Sequence, residues 1–352
     1  MSRCRAWNVL GGAYTDSASA LQTACQGDCD MGETTDYVHP FDDAIRVLFA
    51  DAVRITLRQP SMAGFFVCMR RAQRLAERRR AVSARQGVHV PPFMIISVTG
   101  RCNLSCAGCY AQAQGRQEEP EMTQSQLLDE QLVQRVRRQR NLVLVVSLEG
   151  HAADTDARRG QGVASRAQEA IARMRAAGVF FGTSLTVTRF NIDTVTDEHY
   201  LRSLIDLGCR LFFFVEYVPV REGTEALVLT GEQRSQLAAA VVRMHDSMPG
   251  LFIAFPGDEE ALGGCLAAGR RFVHVSPAGR LEPCPFAPYS DVSVCDVSLR
   301  DALGSPLLAA IRAGHDRLSE TSGGCALWAQ REWVSSLLDD EEKSARAKSS
   351  TT

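Results

Sequence analysis

Apolar positions along this chain follow two alternating rhythms. Phe93 to Val98 is a short, near-continuous apolar run of the kind a strand buried on both faces shows; Leu142 to Leu148 is another apolar strand, and Val179 to Thr188 and Arg210 to Tyr217 read as further strands. Between them the spacing becomes helical. Met122 to Arg140 places Leu127, Leu128, Leu132, Val133 and Val136 on one side, Ser165 to Ala177 stops at Gly178, and Asp197 to Leu207 stops at Gly208. Alternating strand and helix predicts an α/β fold with a parallel sheet or partial barrel, its site at the carboxyl ends of the strands. Upstream, Pro40 to Arg85 is helical, with Phe41, Ile45, Leu48, Phe49, Val53 and Ile55 near helical spacing and a break at Pro60. Gln86 to Pro92 reads as a linker. Residues 1–40, rich in Gly, Ala, Ser, Thr and Asp, read as a loosely ordered tail in which Met31 is an alternative start. Downstream, Phe272 to Cys284 reads as a hairpin turning at Gly279.

Composition narrows the picture. With 352 residues, 45% hydrophobic and 23% charged, the chain can build a large core and exceeds one average domain. A formal net charge of -2 gives no general attraction to nucleic acid or anionic membrane. The stripe Arg70, Arg71, Arg74, Arg78, Arg79, Arg80 and Arg85 is expected to be a solvated helix face. No apolar run approaches the roughly 18 to 20 residues of a membrane span, and no signal-peptide core follows Arg3 and Arg5, so a soluble protein is expected. The twelve cysteines fall in metal-like groups rather than a short secreted framework, which points to a reducing cytoplasm.

The densest chemistry is Arg101-Cys102-Asn103-Leu104-Ser105-Cys106-Ala107-Gly108-Cys109-Tyr110, directly after the first apolar run. Three thiolates on one loop can hold three irons of a 4Fe-4S cube and leave the fourth open to an exogenous ligand. Structural zinc needs four ligands, usually with a second pair nearby, and none follows in sequence. A strand followed by Cys-Asn-Leu-x-Cys-x-x-Cys-Tyr resembles the signature of the radical S-adenosylmethionine (SAM) enzymes. The resemblance implies a 4Fe-4S cluster on Cys102, Cys106 and Cys109, with SAM on the open iron, reductively cleaved to a 5'-deoxyadenosyl radical that abstracts hydrogen. It further implies an electron donor such as ferredoxin or flavodoxin and a substrate that is a peptide or small molecule.

Ser147-Leu148-Glu149-Gly150, followed by Asp156-Ala157-Arg158-Arg159-Gly160-Gln161-Gly162, resembles a Ser-x-Asp-Gly...Asp-x-x-Arg-Gly-x-Gly pattern of radical SAM maturases, with Glu149 in place of Asp. By that resemblance Ser147, Glu149 and Arg159 contact SAM. Read alone, these residues are equally well loop caps. Thr186 to Asn191 resembles the end of the family's next strand, and Glu216 is either a site group or a satisfied cap. The hairpin region resembles a twitch or SPASM-type extension, implying a second iron-sulfur cluster on Cys265, Cys284 and Cys325, with Cys295 a weaker fourth candidate. Cys4, Cys25 and Cys29 stay outside the site, and His274 reads as a packed or exposed residue rather than a ligand.

The expected organisation is a tail over 1–40, a helical lead-in and linker over 41–92, a radical SAM core over 93–255, a twitch or SPASM-like unit over 256–340 and a tail over 341–352. The core is a partial parallel (βα) barrel shortened by about two βα units, because the 38 residues from Cys109 to Ser147 hold one crossover where the family has three. With those units goes the family's Gly-Gly-Glu-Pro strand end, for which Gln117-Glu118-Glu119-Pro120 is no substitute, since no strand precedes it. Activity is therefore left open. A non-catalytic iron-sulfur protein and an incomplete gene product stand beside the enzyme reading.

Overall fold

The structure, a computed structural model, describes residues 52–97, 102, 104–113, 130–138, 143–255, 264–318 and 325–338. Both expected tails, Cys4, Cys25, Cys29, Gln117 to Pro120 and the first half of the Met122 to Arg140 helix lie outside these residues.

Strands β2 (Leu144–Leu148), β3 (Phe181–Val187), β4 (Leu211–Glu216) and β5 (Leu251–Phe255) form a sheet in that order, parallel throughout. The α/β class and parallel sheet expected from the alternating pattern are present. Alternation along β4 assigns the two faces: Phe212 and Phe214 enter the larger core, whereas Leu211 and Phe213 face the opposite side. Helices α1 (Val163–Ala177), α2 (Glu198–Asp206) and α3 (Gly231–Ser247) cover the larger core. They bury Ile171 and Met174, Leu201 and Leu204, and Leu237 and Met244, pairs three to seven residues apart on one helix face. The α3–β5 unit was not read from the sequence.

The opposite face is closed by the helical lead-in. Ala52 and Ile55 from a helix over 52–58, and Met62, Phe65 and Phe66 at the start of the helix Ala63–Arg85, pack with Phe180 and Leu211. The Phe65 and Phe180 rings stack at 4.6 Å. Each buried phenylalanine contributes about 1.5–3 kcal/mol, so this segment is the third layer of the sheet's sandwich. The outward face carries the arginine stripe. Arg70, Arg71, Arg74, Arg78, Arg79 and Arg85 are exposed, and only Arg80 is buried. No helix among the described residues is long and apolar enough to cross a membrane.

A second sheet runs β1 (Phe93–Ile96), β6 (Phe272–Val275), β7 (Leu281–Glu282), with β1 parallel and β7 antiparallel to β6. β1, expected at the start of the unit over 93–255, pairs with a strand from the 256–340 segment and not with β2. Met94 and Ile95 pack in the core built by Phe272, Val273, Leu281, Leu307 and Leu308, and among the described residues no strand lies between β1 and β2. A strand joins the sheet that covers its apolar side chains, and for β1 that sheet is the C-terminal one. Beyond β1, Ser97 Oγ lies 2.8 Å from His274 Nε2, and His274 Nδ1 lies 2.7 Å from Glu282 Oε2, tying all three strands together. His274 is thus a packed residue.

Gly182 in β3 stands where the β4 backbone comes closest. A Cβ there would collide with the Leu211 carbonyl oxygen and lie 2.6 Å from Leu211 Cβ. Gly182→Ala is expected to destabilise the protein by about 1–3 kcal/mol through overpacking, read as a lower urea midpoint with unchanged slope. An unchanged midpoint would show that β3 and β4 are not paired in this register.

Candidate functional site

The cysteine loop lies at the carboxyl end of β1 and is held from three sides. Ala107 N–H donates to Arg158 O at 3.0 Å, binding the loop to the helix Ala152–Arg159 that follows β2. The Tyr110 ring meets Phe286 edge-on at 5.2 Å, a contact with the C-terminal unit. Tyr217, one residue past β4, lays its ring against Gly108, with Cε2 and Cζ each 2.7 Å from where a side chain at 108 would begin. Within the loop, Cys109 N–H donates to Cys106 O at 3.2 Å and Gln112 Nε2 to Leu104 O at 3.1 Å.

The three thiols are close enough to act on one another. Burial pushes the Cys106 thiol up from its ordinary value; Arg159 and Arg158 oppose that rise, and Cys109 and Cys102 add to it. Cys106 is buried, while Cys102 and Cys109 are half-buried. Among the described residues no group of three or more His, Cys, Asp or Glu side chains closes round a single metal ion. In an iron-sulfur cube each thiolate binds a different iron, so its ligands need not converge on one point.

Beside the loop, Glu149 is 1% exposed at the end of β2. Its Oε1 accepts from Arg158 Nη1 at 2.6 Å and from Arg159 Nε at 2.7 Å, and Arg159 Nη2 closes on the same oxygen at 2.5 Å. One edge of the Arg159 fork therefore meets a carboxylate of the chain itself. One carboxylate against two guanidinium groups leaves a positive excess next to Cys106. Glu149 is both part of this cluster and a structural anchor. Its backbone N–H donates to Thr155 Oγ1 at 3.1 Å, and Asn191 Nδ2 donates to Glu149 O and to Thr186 O, each at 2.9 Å, joining the ends of β2 and β3.

The motif-like spacing from Asp156 to Gly162 has a local cause. Asp156 accepts from Ala164 N–H at 2.7 Å and Gly162 N–H at 3.0 Å, which holds its carboxyl below the usual range. Gly160 and Gly162, at φ 107° and 81°, make the turn between two helices that no β-carbon tolerates well. These residues aim Arg158 and Arg159 back at Glu149. Ser147 is half-buried on β2 in register with Ser184. Glu216 is buried at the end of β4.

Among the described residues, three buried polar atoms near the loop have no hydrogen-bond partner: Glu149 Oε2, Arg158 Nε and Tyr217 Oη. Orphaned buried polar atoms are uncommon and costly, and each of these belongs to a residue that touches the loop or is bonded to one that does. Sequence reasoning missed Arg158 and Tyr217. Arg158 was adjacent to a named residue, but nothing in the sequence links Tyr217 to the loop.

Cys265, Cys284 and Cys325 are buried in one core, and Ala268 N–H donates to Pro283 O at 3.1 Å, which brings the Cys265 segment beside Cys284. Cys295 lies outside that core, exposed, its sulfur against Gly279. Cys209 is fully buried behind β4 with its thiol pushed up to about 12 by burial, the condition of an inert core residue.

No protein-family model and no curated protein matches the sequence. Solved structures similar to the chain include SuiB of Streptococcus suis bound to S-adenosylmethionine, at 12% identity, covering 67% of this chain and 71% of SuiB with a TM-score of 0.48. SuiB bound to precursor peptide SuiA is similar over 71% of this chain and 73% of that one, with 12% identity and a TM-score of 0.47. anSMEcpe with bound AdoMet and Cp18Cys peptide is similar over 71% and 98%, with 12% identity and a TM-score of 0.48. The likeness is one of fold.

Removing the shared carboxylate leaves two guanidinium groups facing each other in a largely dry site. Glu149→Ala is expected to cost about 3 kcal/mol of stability, measured by urea unfolding of the metal-free chain. A loss below about 0.5 kcal/mol would show that the two ion pairs are not formed in solution.

Proposed function

We propose that this chain is a radical SAM iron-sulfur protein whose site is the Cys102, Cys106 and Cys109 loop. The observation that carries the reading is the loop itself: three thiols within electrostatic reach of one another at the carboxyl end of β1, beside an arginine pair with excess positive charge and ringed by orphaned buried polar atoms. These features fit a 4Fe-4S cluster, which would be held by those three cysteines and leave one iron for SAM. A cluster so held, with SAM bound, supplies one-electron reductive cleavage to a 5'-deoxyadenosyl radical.

The chain's own contribution is positional and electrostatic. Arg159 and Arg158 favour the thiolate form that ligation requires at Cys106, opposing the burial that favours its thiol. Arg159, with one edge on Glu149, presents its remaining Nη1 edge to a carboxylate, and Ser147 on the neighbouring strand completes the contacts that the resemblance assigns to SAM. Tyr217 packs on the loop at Gly108 and Phe286 on its end at Tyr110. Cys265, Cys284 and Cys325, sharing one buried core, are the proposed ligands of a second cluster. The substrate, a peptide or small molecule, and a ferredoxin- or flavodoxin-like donor follow from the resemblance; a cytoplasmic location follows from the cysteine usage, and the unit boundaries near 92, 255 and 340 are kept as proposed.

Turnover is the weaker part of the activity. The strand end that would hold the SAM amino group is missing from the sequence, and positioning within about an ångström is worth orders of magnitude in rate. Anaerobically reconstituted protein is expected to bind about seven to eight irons, consistent with two cubes. Replacing Cys102, Cys106 and Cys109 with Ala should abolish the electron paramagnetic resonance signal that responds to SAM, and replacing Cys265 and Cys284 should halve the iron. Iron near four that is unchanged by the second replacement would remove the second cluster. A reconstituted chain whose cluster spectrum ignores SAM at any concentration would overturn the radical SAM reading. With dithionite, 5'-deoxyadenosine is expected near background, and its robust formation would show that another residue supplies the amino-end contact.

A further inference from the structure

Of the orphaned atoms around the cysteine loop, the Tyr217 hydroxyl is the one whose placement is hardest to explain by folding alone. Tyr217 is 3% exposed, and its backbone N–H donates to Val187 O at 2.9 Å, so it continues the β3–β4 pairing one residue beyond the strand. That pairing fixes the direction of the side chain. The hydroxyl is carried to the backbone of Gly108, between Cys106 and Cys109, and among the described residues finds no acceptor there. Glu149 Oε2, the orphaned acceptor of the same site, is likewise without a partner, so the two do not satisfy each other. A phenol buried without a bond is costlier than a phenylalanine in the same place. Between two cysteines, the acceptor that would repay that cost is sulfur.

We propose that Tyr217 donates a hydrogen bond to a sulfur, thiolate or bridging sulfide, of the iron-sulfur group held by Cys102, Cys106 and Cys109, and thereby raises its reduction potential. The inference rests on the radical SAM reading. Reduction adds negative charge to the sulfurs, and a donor aimed at them favours the reduced form; hydrogen bonds to sulfur are one of the levers that set such potentials. Gly108 is part of the arrangement, because any side chain there would occupy the space of the Tyr217 ring. Tyr217 acts through the cluster and is a positioning residue.

The test compares the full-length wild type with Tyr217→Phe. In the metal-free protein, removing an unsatisfied hydroxyl should leave the thermal midpoint unchanged or raise it. A lower midpoint would mean that the hydroxyl bonds to protein, and would overturn the proposal. In the reconstituted protein, iron content should match wild type, and a redox titration without SAM, followed by electron paramagnetic resonance, should give a more negative potential for the cluster on the loop. A tenfold change in the reduction equilibrium would read as about 59 mV for one electron. Equal potentials, or a difference that appears only when SAM is present, would overturn it, the second result placing the acceptor on SAM. Should Tyr217→Phe fail to load, 3-fluorotyrosine placed at 217, a stronger donor, must move the potential upward, and no movement is again fatal. A wild type that takes up no cluster on the loop would defeat the underlying reading instead, so the two failures are told apart.

Discussion

One carboxylate oxygen shared between two guanidinium groups organises the carboxyl end of the parallel sheet. Glu149 could not be buried to 1% exposure without compensation, since an isolated charge in such surroundings would be neutralised or expelled. Arg158 and Arg159 both supply it because the Asp156 cap and the Gly160 to Gly162 turn end their helix there. The same residues then reach outward. The Arg158 carbonyl takes the loop's Ala107 N–H, and the Glu149 carbonyl takes Asn191 from the end of β3. The cysteine loop, β2 and β3 are thus joined through one ion group. Its surplus positive charge faces Cys106, the most buried thiol of the loop, whose ionisation burial opposes.

The loop is also the joint between the two sheets. Its root, β1, belongs to the C-terminal sheet, while its flanks touch Arg158 and Tyr217 of the larger one. The buried Glu282–His274–Ser97 chain fastens that root, reaching from two residues before Cys284 to five before Cys102. Both cysteine groups therefore stand on one small scaffold. Any distortion of the core around Leu281, Leu307 and Leu308 is carried directly to the strand that presents the first group.

What the sequence determined by itself is local. Period and length marked β2, β3, β4 and the helices ending at Gly178 and Gly208, because the apolar rhythm records which face of an element is covered. The spacing of Cys102, Cys106 and Cys109 put three thiols on one turn of chain, since so short a loop cannot separate them. The Asp156 to Gly162 spacing likewise reflects a turn that closes on itself. What only the tertiary structure decided is which covered face meets which. β1 carries the apolar run of a core strand, but nothing in it names β6 rather than β2 as its partner, a choice made by side chains almost 180 residues away. The lead-in helices became a layer of the sandwich because Phe65 and Phe66 found Phe180. Arg159 offered a fork for a carboxylate, and folding brought it Glu149 from within the chain. Tyr217 reached Gly108 through the pairing of β3 with β4 and the docking of β1 on β6, two events with no trace in the residues around either one. Periodicity says that a surface is buried; only the assembled chain says against what.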